Sequence, residues 1–212
     1  MSQPPRYKRV KELVLDHAAR MDEIRTRLKE FATVHEQEYF YELAYCLLTP
    51  QSSAANAGKA VEELRRAGFQ ESGIDPVGIL FSRSHYIRFH RTKARNLLEA
   101  KARLPEILSA IGRQGPSMER RAWLADNVRG LGWKEASHFL RNIGHRDLAI
   151  LDRHILRNLK RHGVIRTIPA SLTPARYLSI EERFRRFASD IGIPMDELDL
   201  LFWSRETGAI LK

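Results

Sequence analysis

The chain has 212 residues, 43% hydrophobic and 29% charged, a balance ordinary for a soluble globular protein and ample for a core without covalent staples. Its single cysteine, Cys46, excludes an internal disulfide, a four-cysteine zinc site and an iron–sulfur cluster held by four cysteines of the chain. The 36 lysines and arginines against 26 acidic residues leave a net charge of +10, which points to a polyanionic partner, nucleic acid first, although a generally basic surface explains it equally well.

No apolar run approaches the roughly 20 residues that span a bilayer, so no membrane association is expected. The start, Met-Ser-Gln-Pro-Pro-Arg, lacks the charged-then-apolar pattern of a secretory signal, which predicts an intracellular location.

In chain order, Val10, Leu13, Val14, His17, Met21, Ile24, Leu28 and Phe31 recur at spacings of three and four and predict a long amphipathic helix. Its charges fit a solvated face. Glu36 to Leu48 reads as a second helix, buried towards its end, and Cys46 within it as a structural thiol. Pro50 in Thr49-Pro50-Gln51-Ser52-Ser53 stops that helix, and a serine caps the next, Ala54 to Ala67. After a loop over Gln70 to Pro76, helices are expected near Val77–Ser82, Thr92–Arg103 and Glu106–Gly112.

Met118 to Val128 then reads as a short helix, Arg129 to Trp133 as a tight hairpin, and Lys134 to Ile143 as the following helix, ending at Gly144. An apolar link over Asp147 to Leu151 leads to helices at Asp152–His162, Pro174–Ile191 and Met195–Glu206. No segment alternates as a strand does, so the chain is expected to be all-α, a single domain over residues 1–212.

The hairpin carries the chemistry. Gly130 and Gly132 flank one apolar residue between two short helices, and glycine permits positive φ and close backbone approach. The helix that follows offers free N–H groups and a positive dipole end, which together bind a phosphate without reading sequence. An ordinary helix–helix turn also accounts for Gly-x-Gly alone.

Lys134, two residues after Gly132, sits in the first helical turn. The positive helix end and partial desolvation there favour the neutral amine that a Schiff-base nucleophile requires. Eighteen residues on, Asp152 opens a helix, where it serves as an N-cap and still has an oxygen to direct at a sugar.

Val128-Arg129-Gly130-Leu131-Gly132-Trp133-Lys134-Glu135-Ala136-Ser137-His138-Phe139-Leu140-Arg141-Asn142, followed by Leu151-Asp152-Arg153-His154, resembles the helix-hairpin-helix DNA glycosylase superfamily. In detail it resembles the archaeal-type 8-oxoguanine DNA glycosylase/AP lyases, from about Phe40 to Lys212. The resemblance implies two interleaved helical subdomains with the active site in the cleft between them, and a hairpin motif over about residues 118–144.

It also implies roles. Lys134 matches the catalytic lysine of the bifunctional enzymes, and Asp152 the aspartate that stabilises positive charge at the sugar. Gly130 and Gly132 would bind DNA backbone, and His154 would contact a phosphate. Gln51, in Thr49-Pro50-Gln51, would fill the gap left by the flipped base. Trp203, nine residues before Lys212, would stack on that base while the Lys212 carboxylate helps to recognise it. Phe89 would be the second stacking aromatic. Arg91-Thr92-Lys93-Ala94 and Pro50 depart from the family's pattern.

The implied partner is double-stranded DNA containing oxidised guanine, bound by a monomer with no cofactor and no metal. Two alternatives stand beside this. An endonuclease III-like enzyme for oxidised pyrimidines shares the hairpin, lysine and aspartate but usually carries the four-cysteine cluster that this chain lacks. A non-enzymatic helix-hairpin-helix module needs neither Lys134 nor Asp152.

Overall fold

The computed structural model describes residues 7–208 and 210, and among these it is entirely helical, with no strand. The helices are α1 (Val10–Ala32), α2 (Tyr39–Leu48), α3 (Ala54–Arg66), α4 (Val77–Leu80), α5 (His90–Ala102), α6 (Leu104–Gly112), α7 (Ser117–Asn127), α8 (Trp133–Asn142), α9 (Arg153–Arg161), α10 (Pro174–Ile191) and α11 (Met195–Thr207). None of them is long and apolar enough to cross a membrane.

The chain forms two compact units. Residues up to Thr33 and from Gly144 onwards make the first, and Val34–Ile143, inserted between them in sequence, make the second.

The second unit is organised around α2. Its sequence, YFYELAYCLL, is apolar on all sides, and every residue from Phe40 to Leu48 is buried, Cys46 included. A helix apolar all round must be enclosed, and α3, α5 and α8 pack against this one. Each large apolar side chain so enclosed contributes about 1.5–3 kcal/mol. The lone acid of α2, Glu42, is 5% exposed and accepts a hydrogen bond from Asn142 Nδ2 at 3.1 Å. That bond satisfies a polar group that would otherwise be costly to bury.

The first unit packs α1 and α9 on α11, with α10 alongside. Glu197 of α11 holds α1 through His17 Nε2 at 2.6 Å and Arg25 Nε at 3.0 Å. His162, fully buried at the end of α9, stacks between Phe187 and Phe202 at centroid distances of 5.9 and 5.5 Å. Burial holds its imidazole below the usual histidine range.

Candidate active site

In the second unit, α7 and α8 pack together and are joined by the five residues 128–132, a turn in which Leu131 N donates to Val128 O at 3.1 Å. The two glycines do different work. Gly130 adopts φ +86°, the left-handed region, whereas Gly132 is the extended N-cap of α8 at φ −84°. Leu131 between them is 3% exposed and anchors the turn in the core.

A side chain at Gly130 is excluded twice over, by its φ and by Asn96, whose Nδ2 fills the place where a Cβ would stand. Gly130→Ala is therefore expected to cost at least about 2 kcal/mol, a left-handed penalty plus displacement of a buried side chain. In thermal melting this appears as a fall of roughly 5 °C or more. An unchanged melting temperature would show that the turn does not need a glycine there.

Beneath the turn, Arg121 of α7 is fully buried. Its Nη1 donates to Ser137 Oγ at 3.2 Å, and its guanidinium lies 4.9 Å from the centre of the Trp133 ring. A cation stacked on the first residue of α8 fixes that helix start against α7.

Lys134 is the second residue of α8, so its position in the first turn is as expected, with its side chain 34% exposed. The structure adds a neighbour. Glu135 Oε1 is 2.9 Å from Lys134 Nζ, and Glu135 Oε2 reaches back to within 3.1 Å of the Cβ position of Gly132. The carboxylate at the third helical position thus curls over the helix start, as the acidic member of a capping box does, and orients the lysine amine on the way.

Gln51 and Phe89 also belong to the second unit, and both side chains are exposed. Ser52 N donates to Thr49 O at 3.0 Å, making a turn with Pro50 and Gln51 at its centre. Gln51 takes φ +56°, the third-position conformation that glycine or asparagine usually supplies. Phe89 takes φ +59° as the N-cap of α5. The two segments are joined, because Arg88 N donates to Ser52 Oγ at 3.1 Å. Lys93, which stands one helical turn into α5, also reaches this turn from inside.

In the first unit, the link before Asp152 is irregular yet buried from Leu148 to Leu151. Its backbone groups are met by side chains of α10 and α11. Ala149 N donates to Glu181 Oε1 at 2.8 Å, Tyr177 OH donates to Ala149 O at 2.6 Å, and Leu151 N donates to Tyr177 OH at 3.2 Å.

Asp152 itself is the N-cap of α9. Its Oδ1 accepts from His154 N at 2.7 Å and Ile155 N at 2.8 Å. The cap occupies one oxygen, and no hydrogen bond to the second is found among the described residues.

His154 is partly buried. Its Nε2 accepts from Arg153 Nε at 3.2 Å, and its Nδ1 faces Glu206 of α11 at 3.6 Å. Trp203, on α11, is half-buried, while its neighbour Phe202 is fully buried and stacks on Phe184 at 5.9 Å, as a core aromatic does. Lys212 lies outside the described residues. Among the described residues no three histidines, cysteines or acids gather as metal ligands.

Glu135, Arg121, Ser52 and Lys93 were not singled out by sequence reasoning as working residues. Glu135 had a legible signal, an acid three positions after a helix cap. The others depend on what folds against them.

Residues 24–193 match the family described as 8-oxoguanine DNA glycosylase of the Ogg-HhH type. A Fusobacterium nucleatum protein named 8-oxoguanine DNA glycosylase/AP lyase is 40% identical over 88% of this chain and 89% of its own length. A Korarchaeum cryptofilum protein of the same name is 39% identical over 89% and 90%. The crystal structure of the 8-oxoguanine DNA glycosylase of Thermotoga maritima superposes with a TM-score of 0.84 at 34% identity, covering 96% of this chain and 98% of that one. The Methanocaldococcus jannaschii 8-oxoguanine glycosylase/lyase, solved in complex with a 15mer DNA containing 8-oxoguanine, superposes at 0.83 with 31% identity, covering 95% and 100%. With its helix-hairpin-helix, its lysine at the start of α8 and its aspartate capping α9, this chain belongs to the 8-oxoguanine DNA glycosylase family.

Proposed function

We propose that this protein excises 8-oxoguanine from duplex DNA and then nicks the strand at the resulting site, acting as a monomer. The observation that carries the reading is Lys134 at the second position of α8, immediately after a glycine hairpin that exposes backbone to a phosphate. A module that only gripped DNA would have no use for an amine held there by Glu135 at 2.9 Å.

In the chemistry, the duplex opens and the damaged nucleotide leaves the stack, at a cost of a few kcal/mol. The Lys134 amine attacks C1′. The C1′–N bond to lysine forms as the bond to the base breaks, and the base departs with that electron pair and takes up a proton. Positive charge builds on the sugar in this step, and the Asp152 carboxylate offsets it. The nitrogen then gives up one proton, the C1′–O4′ bond breaks with O4′ taking up a proton, and the nitrogen lone pair closes the C1′=N bond to give a protonated Schiff base. Removal of a C2′ proton then expels the 3′ phosphate, which is β-elimination and nicks the strand. Lysine, aspartate and a proton acceptor suffice, and no step calls on a metal or redox group.

For the lesion itself, 8-oxoguanine carries an N7–H donor where guanine has an acceptor, so a carboxylate or carbonyl discriminates the two. Trp203 and Phe89 offer faces for stacking, Gln51 fills the vacated space, and Gly130, Gly132 and His154 hold backbone phosphates.

The test is a panel of duplexes carrying 8-oxoguanine, an oxidised pyrimidine, an abasic site or no lesion, each incubated with borohydride. Borohydride reduces the Schiff base to a stable amine, so a covalent protein–DNA complex forms wherever the chemistry runs. Trapping is expected with 8-oxoguanine and abasic duplexes. Trapping with the pyrimidine lesion in preference to 8-oxoguanine would favour the endonuclease III-like alternative. Binding without any trapping would leave only the non-enzymatic module.

A further inference from the structure

Lys93 is a lysine in a place that is costly for one. It lies on the inner face of α5 and is 5% exposed, and burial lowers its pKa to about 8. Its Nζ donates to Leu48 O at 2.6 Å, to Pro50 O at 2.6 Å and to Ser52 Oγ at 3.1 Å. The three acceptors lie at the end of α2 and in the break that follows it. Leu48 is the last residue of that helix, where carbonyls run out of intrahelical donors, and Pro50 and Ser52 flank Gln51. Ser52 Oγ accepts a second bond, from Arg88 N, so the same hydroxyl ties in the segment that ends at Phe89.

Two loop tips are thus held by one ammonium and one hydroxyl. Both tips carry a non-glycine residue in the left-handed region, Gln51 at φ +56° and Phe89 at φ +59°, with their side chains exposed. Such conformations persist only where the surroundings over-determine them, and they gather where a protein grips a ligand. A buried methionine would fill the space of Lys93 without the desolvation cost. What the ammonium adds is three directed donors, and all three go to the turn.

We propose that Lys93, together with Ser52, is a positioning residue for lesion recognition, locking the Gln51 turn and the Phe89 segment into one rigid probe of the opened duplex. This rests on the function proposed above. Its consequence is selective. Extruding a stacked base requires a rigid group to take its place, whereas an abasic site has no base to extrude and makes less demand on the probe.

The test compares wild type, Lys93→Met and Ser52→Ala in single-turnover reactions on two duplexes, one with 8-oxoguanine and one with a preformed abasic site. Lys93→Met is expected to lower 8-oxoguanine excision by about 10²-fold, the scale of a 1 Å misplacement. Abasic cleavage should fall far less, by about threefold or under, because Lys134 is untouched. Ser52→Ala should act in the same direction by about tenfold. Gln51→Ala added to either variant should cost less than it does alone, the non-additivity of residues working as a unit.

Equal losses on the two duplexes would reduce Lys93 to a structural clamp and overturn the proposal, as would unchanged excision. Should Lys93→Met fail to fold, Ser52→Ala and its combination with Gln51→Ala decide alone. Wild-type protein that leaves 8-oxoguanine intact would overturn the assigned function along with the proposal. Wild-type excision with indifferent variants overturns the proposal only.

Discussion

Lys134→Gln is expected to abolish borohydride trapping and to lower strand cleavage by at least about 10⁴-fold, the scale seen when a covalent nucleophile is removed. The amide is close to the lysine in reach, but it has no nucleophilic lone pair and forms no Schiff base. The Lys134 side chain is 34% exposed, and among the described residues its ion-pair partner is Glu135, its neighbour in sequence, so the core packing does not depend on it. The variant should melt close to wild type, since only one partly exposed ion pair between adjacent residues is lost. Its affinity for duplex DNA should be largely retained, because the hairpin backbone proposed to meet phosphate is unaltered. Gel analysis after borohydride reduction reads the first effect, and duplex binding reads the second. Undiminished trapping would move the nucleophile to another amine.

Asp152→Asn is the second large effect, and the structure makes it unusually clean. Oδ1 of Asp152 caps α9 by accepting from two backbone N–H groups at 2.7 and 2.8 Å. Asparagine caps as well as aspartate does, so the helix start is kept while the charge is lost. Base release is expected to slow by about 10²–10³-fold, the scale of removing one preorganised electrostatic partner of a transition state. Asp152→Ala provides the contrast. It should lose the charge and the cap together, adding a stability loss of about 1 kcal/mol that the asparagine variant does not show. Single-turnover base release and thermal melting separate the two functions. Near-normal release in the asparagine variant would leave Asp152 only a helix cap.

Local chemistry made much of this protein readable in one dimension. The apolar run at the end of α2 announced its burial, and Cys46 was placed in the core for the same reason. Helix boundaries came within a few residues wherever proline, glycine or a capping side chain marked them, as at Pro50, Gly132 and Asp152. The start of α5 was less legible. It begins at His90 because Phe89 takes a left-handed φ, and no proline, glycine or capping side chain marks that residue. Similarly, Gly130 and Gly132 read alike, but only Gly130 uses the freedom of glycine, because Asn96 of α5 fills the space beside it.

Charged residues divided most sharply. Arg121 and Lys93 are buried, yet neighbours of similar composition stand in solvent, and nothing in Arg91-Thr92-Lys93-Ala94 distinguishes the lysine that turns inward. A charge is buried only where distant segments converge acceptors or an aromatic face upon it, and that convergence belongs to packing.

By itself, then, the sequence determined the all-helical class and the helix–turn–helix pairs around Gly130 and Asp152, because helical period, glycine conformation and capping act over a few residues, while the family resemblance put Lys134 and Asp152 forward as the candidate pair. The tertiary structure alone decided that α10 and α11 hold the link before Asp152, and that Lys93 and Ser52 bind two loop tips together. Ser52 and Arg88 are 36 residues apart and Lys93 and Leu48 are 45. Over such separations only the packed core sets which groups meet.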